Sequence, residues 1–403
     1  MSTKGPYGKN TIQLQLENRS TLLKLLRQND HVCRKDLAEM SGLTGAAVTN
    51  LIRDLIKIGL VKEDRNFVSS SGKNAIPLQL NNQRFLVVGV NLRRDHITYA
   101  LFDLSGTLLE KNKIYWEPND PIAEILNKLF TAIDCCTKMT GDKGRVIGIG
   151  VSVPGPINLE KGEISILTNM PSEWRSVPIK KYLEDRFNLP VVLDNNSNST
   201  ALAEKWFGDG REYQNLLSIL ISKGMGAGVI IDGRIYHGAC GFAGEMGHMS
   251  IAFDGPMCEC GNKGCVELYC STMALLKKAQ TIYGPAVINR FEDLKERVKK
   301  GDEELMKLVV ESGKYLGYAI VNLVNTFNPE LIVINGDMND FGSIWLDSIR
   351  QSAFKRLLPD VTARLKIKLT SLHEEPVLLG TVAMVSNYIF ENPQLSLLAD
   401  TRA

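Results

Sequence analysis

Long apolar runs are missing from these 403 residues, and the polar start Met1-Ser-Thr-Lys4 lacks the apolar stretch of a secretory leader. A helical bilayer span needs roughly 18 such positions, so no membrane-spanning helix and a cytoplasmic location are expected. Low-complexity tracts are also missing, as in an ordinary globular chain of two or three domains. Neither sign of charge dominates, since the net is only +2. Histidine is scarce, at five residues, so imidazole chemistry falls on few positions. In a reducing compartment the eight cysteines are expected as thiols and ligands rather than disulfides. Cys33, Cys135, Cys136 and Cys240 read as inert fillers.

What is present is concentrated. Cys258-Glu-Cys-Gly-Asn-Lys-Gly-Cys265-Val-Glu267 packs three thiols into eight positions, with Gly261 and Gly264 between them and His248 one short loop upstream. Thiolates plus an imidazole suit tetrahedral zinc, and glycines let nearby sulfurs converge. The fourth ligand is His248 or Cys270, and three thiolates with an imidazole favour His248. A closed set of four leaves no place for water, so one structural zinc per chain is expected.

The small net charge is unevenly spread. Residues 1–82 hold 12 Lys plus Arg against 7 Asp plus Glu, a balance of +5 that leaves −3 for the rest. The spacing predicts a helix from about Asn18 to Gln28, a second over Arg34–Met40, a glycine turn at Gly42, and a third from Thr44 to about Ile58. Val48, Leu51, Ile52 and Leu55 form the third helix's apolar stripe, and Gly45, Ala46, Thr49, Asn50 and Arg53 point outward. This is a helix-turn-helix pattern, in which Thr44, Gly45 and Thr49 permit close approach to the major groove. Asn50 is suited to an adenine edge and Arg53 to guanine or phosphate. Two strands around a polar loop form a wing carrying Lys73. A three-helix protein-binding module is the alternative.

From Phe85 the pattern is α/β. Strands over Phe85–Leu92, Ile97–Asp103 and Thr107–Lys113, a helix over Ile122–Lys138 and a strand over Val146–Val153 form one unit. A second unit repeats the design, with strands over Leu216–Ser222, Gly228–Ile231 and Arg234–His237. Gly224, Gly226 and Gly228 are placed in its first turn, and a helix over Glu303–Phe327 leads to a strand over Leu331–Ile334. Two such lobes suggest a duplicated actin-like, sugar-kinase-like (ribonuclease H-like) body with a cleft between them.

Val151-Ser-Val-Pro-Gly-Pro156, Asp194-Asn-Asn-Ser-Asn198, Gly241-Phe-Ala-Gly-Glu-Met-Gly-His-Met249, the cysteine cluster and Asn328-Pro-Glu-Leu-Ile-Val-Ile334 occur in order. Together they resemble the ROK family of sugar kinases and sugar-responsive repressors, and the winged helix resembles its repressor branch, as in xylose repressors. The resemblance implies a zinc on His248, Cys258, Cys260 and Cys265. It also implies sugar contacts from Gly155, Asn169, Asn195, Asn196, Glu245, His248 and Glu267. The kinases' catalytic aspartate falls on Asn196, and a neutral amide cannot accept a proton at neutral pH. Their first phosphate loop falls on Asn91-Leu-Arg-Arg-Asp95, which has no glycine, whereas Lys223-Gly-Met-Gly-Ala-Gly228 keeps its glycines. Arginines common after the wing glycine in such repressors are replaced by Lys73-Asn74.

The reading is therefore a winged helix over 1–82, a first lobe over 83–193 with a carboxy-terminal helix at about 380–403, and a second lobe over 194–379. That second lobe carries the zinc loop and a dimerisation surface. The expected function is a sugar-responsive repressor, binding a palindromic operator as a homodimer or higher homo-oligomer. The alternative is an ATP-dependent sugar kinase with an added DNA-binding domain.

Overall fold

The computed structural model describes residues 11–29, 31–64, 76–93, 95–117, 120–140, 144–164, 174, 176–373, 375–391 and 393. Lys73 and Asn169 lie outside them. Three helices open the chain: α1 (Thr11–Gln28), α2 (Arg34–Ser41) and α3 (Gly45–Lys57). Gly42 ends α2 in the left-handed conformation, φ 71°, and Thr44 caps α3 by accepting from the Ala47 N–H at 3.3 Å. Val48, Leu51, Ile52 and Leu55 are buried, each contributing about 1.5–3 kcal/mol by removing apolar surface from water. Strands β1 (Val61–Glu63) and β2 (Leu78–Leu80) pair antiparallel as the base of a wing.

The first lobe comprises β3 (Phe85–Leu92), β4 (His96–Asp103), β5 (Leu108–Tyr115), α4 (Ile122–Lys138), β6 (Arg145–Val153), the short ribbon β7 (Ile157–Asn158) and β8 (Glu163–Ile164), α5 (Ile179–Phe187) and β9 (Val191–Asn195). Its sheet has the order β5-β4-β3-β6-β9. α6 (Asn196–Phe207) then leads into the second lobe: β10 (Leu216–Ile221), β11 (Met225–Ile231) and β12 (Arg234–Ile235), followed after the cysteine loop by α7 (Glu267–Cys270), α8 (Thr272–Tyr283), α9 (Phe291–Lys299) and α10 (Glu303–Phe327). β13 (Leu331–Gly336), α11 (Gly342–Phe354), α12 (Pro359–Thr362) and β14 (Lys366–Leu369) complete it, and α13 (Pro376–Glu391) returns to the first lobe. The second sheet, β12-β11-β10-β13-β14, repeats the first in strand order and direction, with an antiparallel hairpin run and two parallel additions.

Several sequence expectations change: α1 already runs from Thr11, β9 carries the first sheet to Asn195 rather than ending at 193, and α13 begins at Pro376 rather than at about 380. Gly226 and Gly228 are not in a turn; they lie within β11, and the tight turn is at Ser222–Gly224. A Cβ on Gly226 would stand 2.4 Å from Ser197 Oγ, and one on Gly228 would stand 2.4 Å from Ala201 Cβ. These glycines let α6 lie directly on the sheet, which accounts for them without a phosphate. The strand expected over Arg234–His237 stops at Ile235, because His237 turns away to meet Asp194.

α13 is apolar on every side and correspondingly buried, packing on α6, β3, β6 and α1. A Cβ on Gly380 would stand 1.8 Å from the Ser199 carbonyl oxygen of α6. Gly380→Ala forces the two helices apart and is expected to destabilise the chain by about 1–3 kcal/mol, read as a lowered midpoint in denaturant unfolding.

Candidate functional site

The ends of β3, β6 and β9 and the first turn of α6 face the glycine hairpin and cysteine loop of the second lobe across a cleft of about 860 Å³. Of the seven residues singled out, Gly155, Asn195, Asn196, Glu245, His248 and Glu267 all line it. Asn169 falls outside the described residues. The polar wall and mixed donors suit a polyhydroxylated molecule.

Each side chain has a fixed task before any ligand arrives. Asn195 caps α6, its Oδ1 accepting the Asn198 N–H at 2.8 Å, so its amide nitrogen is the group left for a ligand. Asn196 Oδ1 accepts the Ser152 hydroxyl at 2.7 Å, which again turns an amide donor to the cleft. Glu267, at the start of α7, accepts the Met225 N–H at 2.8 Å, linking the cysteine loop to β11. Burial pushes the Glu245 carboxyl up; His248 opposes this and Glu267 adds to it.

The cysteine loop bears on this wall directly. One ligand atom from each of His248, Cys258, Cys260 and Cys265 lies within 4.8 Å of all the others. His248 Nδ1 to Cys258 Sγ and Cys260 Sγ to Cys265 Sγ are both 3.7 Å. A tetrahedron with arms of about 2.3 Å has edges of about 3.8 Å, so the set fits a metal ion. Gly264 makes this possible at φ 68°, where a Cβ would stand 1.9 Å from the Ala252 carbonyl oxygen. Burial pushes the Cys265 thiol to about 12, whereas the Asn262 N–H holds Cys260 below the ordinary thiol value. A bound cation would displace these protons. Cys270 is not in the group: it is fully buried and its thiol meets the Ser312 carbonyl at 3.3 Å. His248 thus turns Nδ1 to the thiols, leaving Nε2 for the cleft it also lines.

Sequence reasoning missed two contacts across the lobes. His237, just past β12, meets Asp194 of β9 at 2.8 Å. Burial lowers the His237 pKa, but the Asp194 hydrogen bond and charge outweigh it, and the net shift is upward. Lys223 of the hairpin stands 4.0 Å from Asp95, just after β3 of the first lobe. No sequence signal joins residues so far apart.

At the other end of the molecule, Thr44, Gly45, Ala46, Thr49, Asn50 and Arg53 form one exposed face of α3. Thr49 Oγ1 donates to the Gly45 carbonyl at 2.8 Å, and Arg53 donates to Asn50 Oδ1. The Asn50–Arg53 pair thereby presents its remaining N–H groups outward, a donor set that matches base acceptors in a major groove.

Residues 87–388 match the ROK family, and residues 16–62 match the winged helix-turn-helix DNA-binding family. The chain belongs to the ROK family. This ROK chain is 32% identical to the xylose repressor of Caldicellulosiruptor bescii over 399 residues, covering 96% of the chain and 99% of that protein. The E. coli K12 DNA-binding transcriptional dual regulator NagC is 30% identical, covering 86% and 89%. The crystal structure of a ROK family transcriptional regulator, a homologue of the E. coli MLC protein, superposes with a TM-score of 0.84 at 29% identity over 96% of this chain and 99% of its own. A ROK glucokinase from Streptomyces griseus, solved with glucose and AMPPNP, reaches 0.64 at 26% identity and covers 74% of this chain and 98% of its own. The regulators therefore run nearly the full length of the ROK chain and the kinase does not.

Proposed function

We propose that this chain is a sugar-responsive DNA-binding repressor of carbohydrate-metabolism genes that transfers no phosphate. Residues 1–82 bind a palindromic operator as part of a homodimer. The first lobe with the carboxy-terminal helix, and the second lobe, close around a sugar and thereby change operator affinity. One observation carries the reading: similarity to repressors extends through the winged helix. Asn196, which accepts the Ser152 hydroxyl, supports it, because the family resemblance places the kinases' catalytic aspartate there. The glycines of β11 add support, since packing against α6 already explains them.

Zinc is the metal that best suits His248, Cys258, Cys260 and Cys265. Bound there, it fixes the loop that presents His248, Glu245 and Glu267 and leaves no position for a reacting water. D-xylose is the first sugar to test, because the C. bescii relative and that of Bacillus subtilis, 32% identical, are both xylose repressors. A thermal-shift panel of sugars combined with a coupled ATP-consumption assay tests the function. Stabilisation by one sugar class without turnover is expected. Sugar-dependent ATP consumption abolished by Asn196→Ala would establish the kinase instead.

A further inference from the structure

The winged helix does not hang from a linker. Leu22, Leu23 and Leu26 of α1 share one apolar cluster with Leu202, Ala203 and Trp206 of α6 and Phe390 of α13. At its rim the Arg27 guanidinium lies over the Trp206 ring, 3.8 Å from its centre. Near the other end of the same helix, Asn196 and Ser197 line the cleft. The second lobe grips that end through Gly226 and Gly228 of β11, where no side chain separates strand from helix.

Glu204, in the last turns of α6, fastens the helix to both chain crossings between the lobes. Thr370, just after β14, donates to Glu204 Oε1, and the Asp209 N–H reaches Oε2 at 3.2 Å. Lys205 Nζ donates to the Arg211 and Tyr213 carbonyls at 2.9 and 2.6 Å, securing the first crossing again. One helix thus touches the cleft, the hinge and the DNA-binding module.

Resting on the repressor reading above, we propose that α6 is the lever that carries the state of the cleft to the winged helix, and that the seat of Arg27 on Trp206 is its output. A 12-residue helix is ~18 Å long, so a tilt of ~10° moves its end by ~3 Å. Cation–π attraction acts within about 6 Å of the ring centre, so such a shift unseats Arg27. The seat is poised for release: loss of water and the neighbouring Arg211 together lower the Arg27 pKa to about 10. A cation so placed returns to solvent once the ring moves, and α1 with α3 then reorients.

The test measures operator affinity by fluorescence anisotropy with and without saturating D-xylose, using a duplex selected by the chain itself from random DNA. Xylose affinity is measured by calorimetry. Coupled sites of this kind change affinity by about 5–150-fold, and the wild type is expected in that range. Arg27→Met, which keeps the apolar stem but not the charge, is expected to bind xylose at least as tightly as the wild type does and to bind sugar-free operator as weakly as the xylose-loaded wild type, with the ratio collapsing to about one. Trp206→Phe, with a smaller ring, is expected to give an intermediate ratio and serves if Arg27→Met does not fold. A wild-type ratio in either folded variant overturns the lever. A wild type indifferent to xylose and every other panel sugar overturns the repressor reading and the lever with it, so the two failures are distinguishable.

Discussion

Cys258→Ser is expected to take the chain from about one zinc to none and to weaken sugar binding by about 100-fold. The first effect follows from losing one of four donors that lie within 4.8 Å of one another. The second follows because the loop positions cleft groups it does not itself contain. A bound zinc would hold His248 through the Nδ1 that faces Cys258, and Glu267 begins α7 just after Cys265 and is tied to the Met225 N–H. Losing two placed polar contacts at about 1.5 kcal/mol each gives ~3 kcal/mol, or about 100-fold. Metal analysis and calorimetry on the same preparation read both effects. Cys240→Ser, at an exposed cysteine outside the cluster, is expected to change neither. Unchanged metal content in Cys258→Ser would refute the ligand set.

Asn50→Ala is expected to weaken specific operator binding by about 1–3 kcal/mol while leaving binding to unrelated DNA nearly as it was. Arg53→Ala separates two roles. If Arg53 reads a base, specificity at one position relaxes; if it meets a phosphate, affinity falls on all sequences and the salt slope drops by about one. The Arg53–Asn50 hydrogen bond predicts that the two residues act as a unit, so the double variant should lose less than the sum of the singles. Full additivity in anisotropy titrations would show that they read DNA independently.

Much of this was legible because the relevant residues are close in sequence. The cysteine ligands fall within eight positions, and α3, α4 and α10 declare themselves through an apolar stripe of helical period. α1 begins at Thr11, well before Asn18, because Ile12-Gln-Leu-Gln-Leu16 alternates as a strand would, and Ile12 and Leu14 are exposed there. Burial does not impose a helical period on that first turn. Gly226 and Gly228 misled for a different reason: glycine marks both a turn and a close approach, and only the packing of α6 tells them apart. His237–Asp194 joins the lobes over 43 residues and Glu204–Thr370 ties α6 to the second crossing over 166, and no local pattern announces either pair.

The central claim is that one chain couples a sugar cleft to an operator. The most direct measurement is operator affinity of the full chain across a D-xylose titration at fixed salt, with ATP consumption followed in parallel. Operator affinity is expected to fall about 5–150-fold and saturate with xylose, with the same factor in xylose affinity when operator is present and no ATP turnover. Operator binding unmoved by xylose and by the wider sugar panel, together with sugar-dependent ATP consumption, would contradict it.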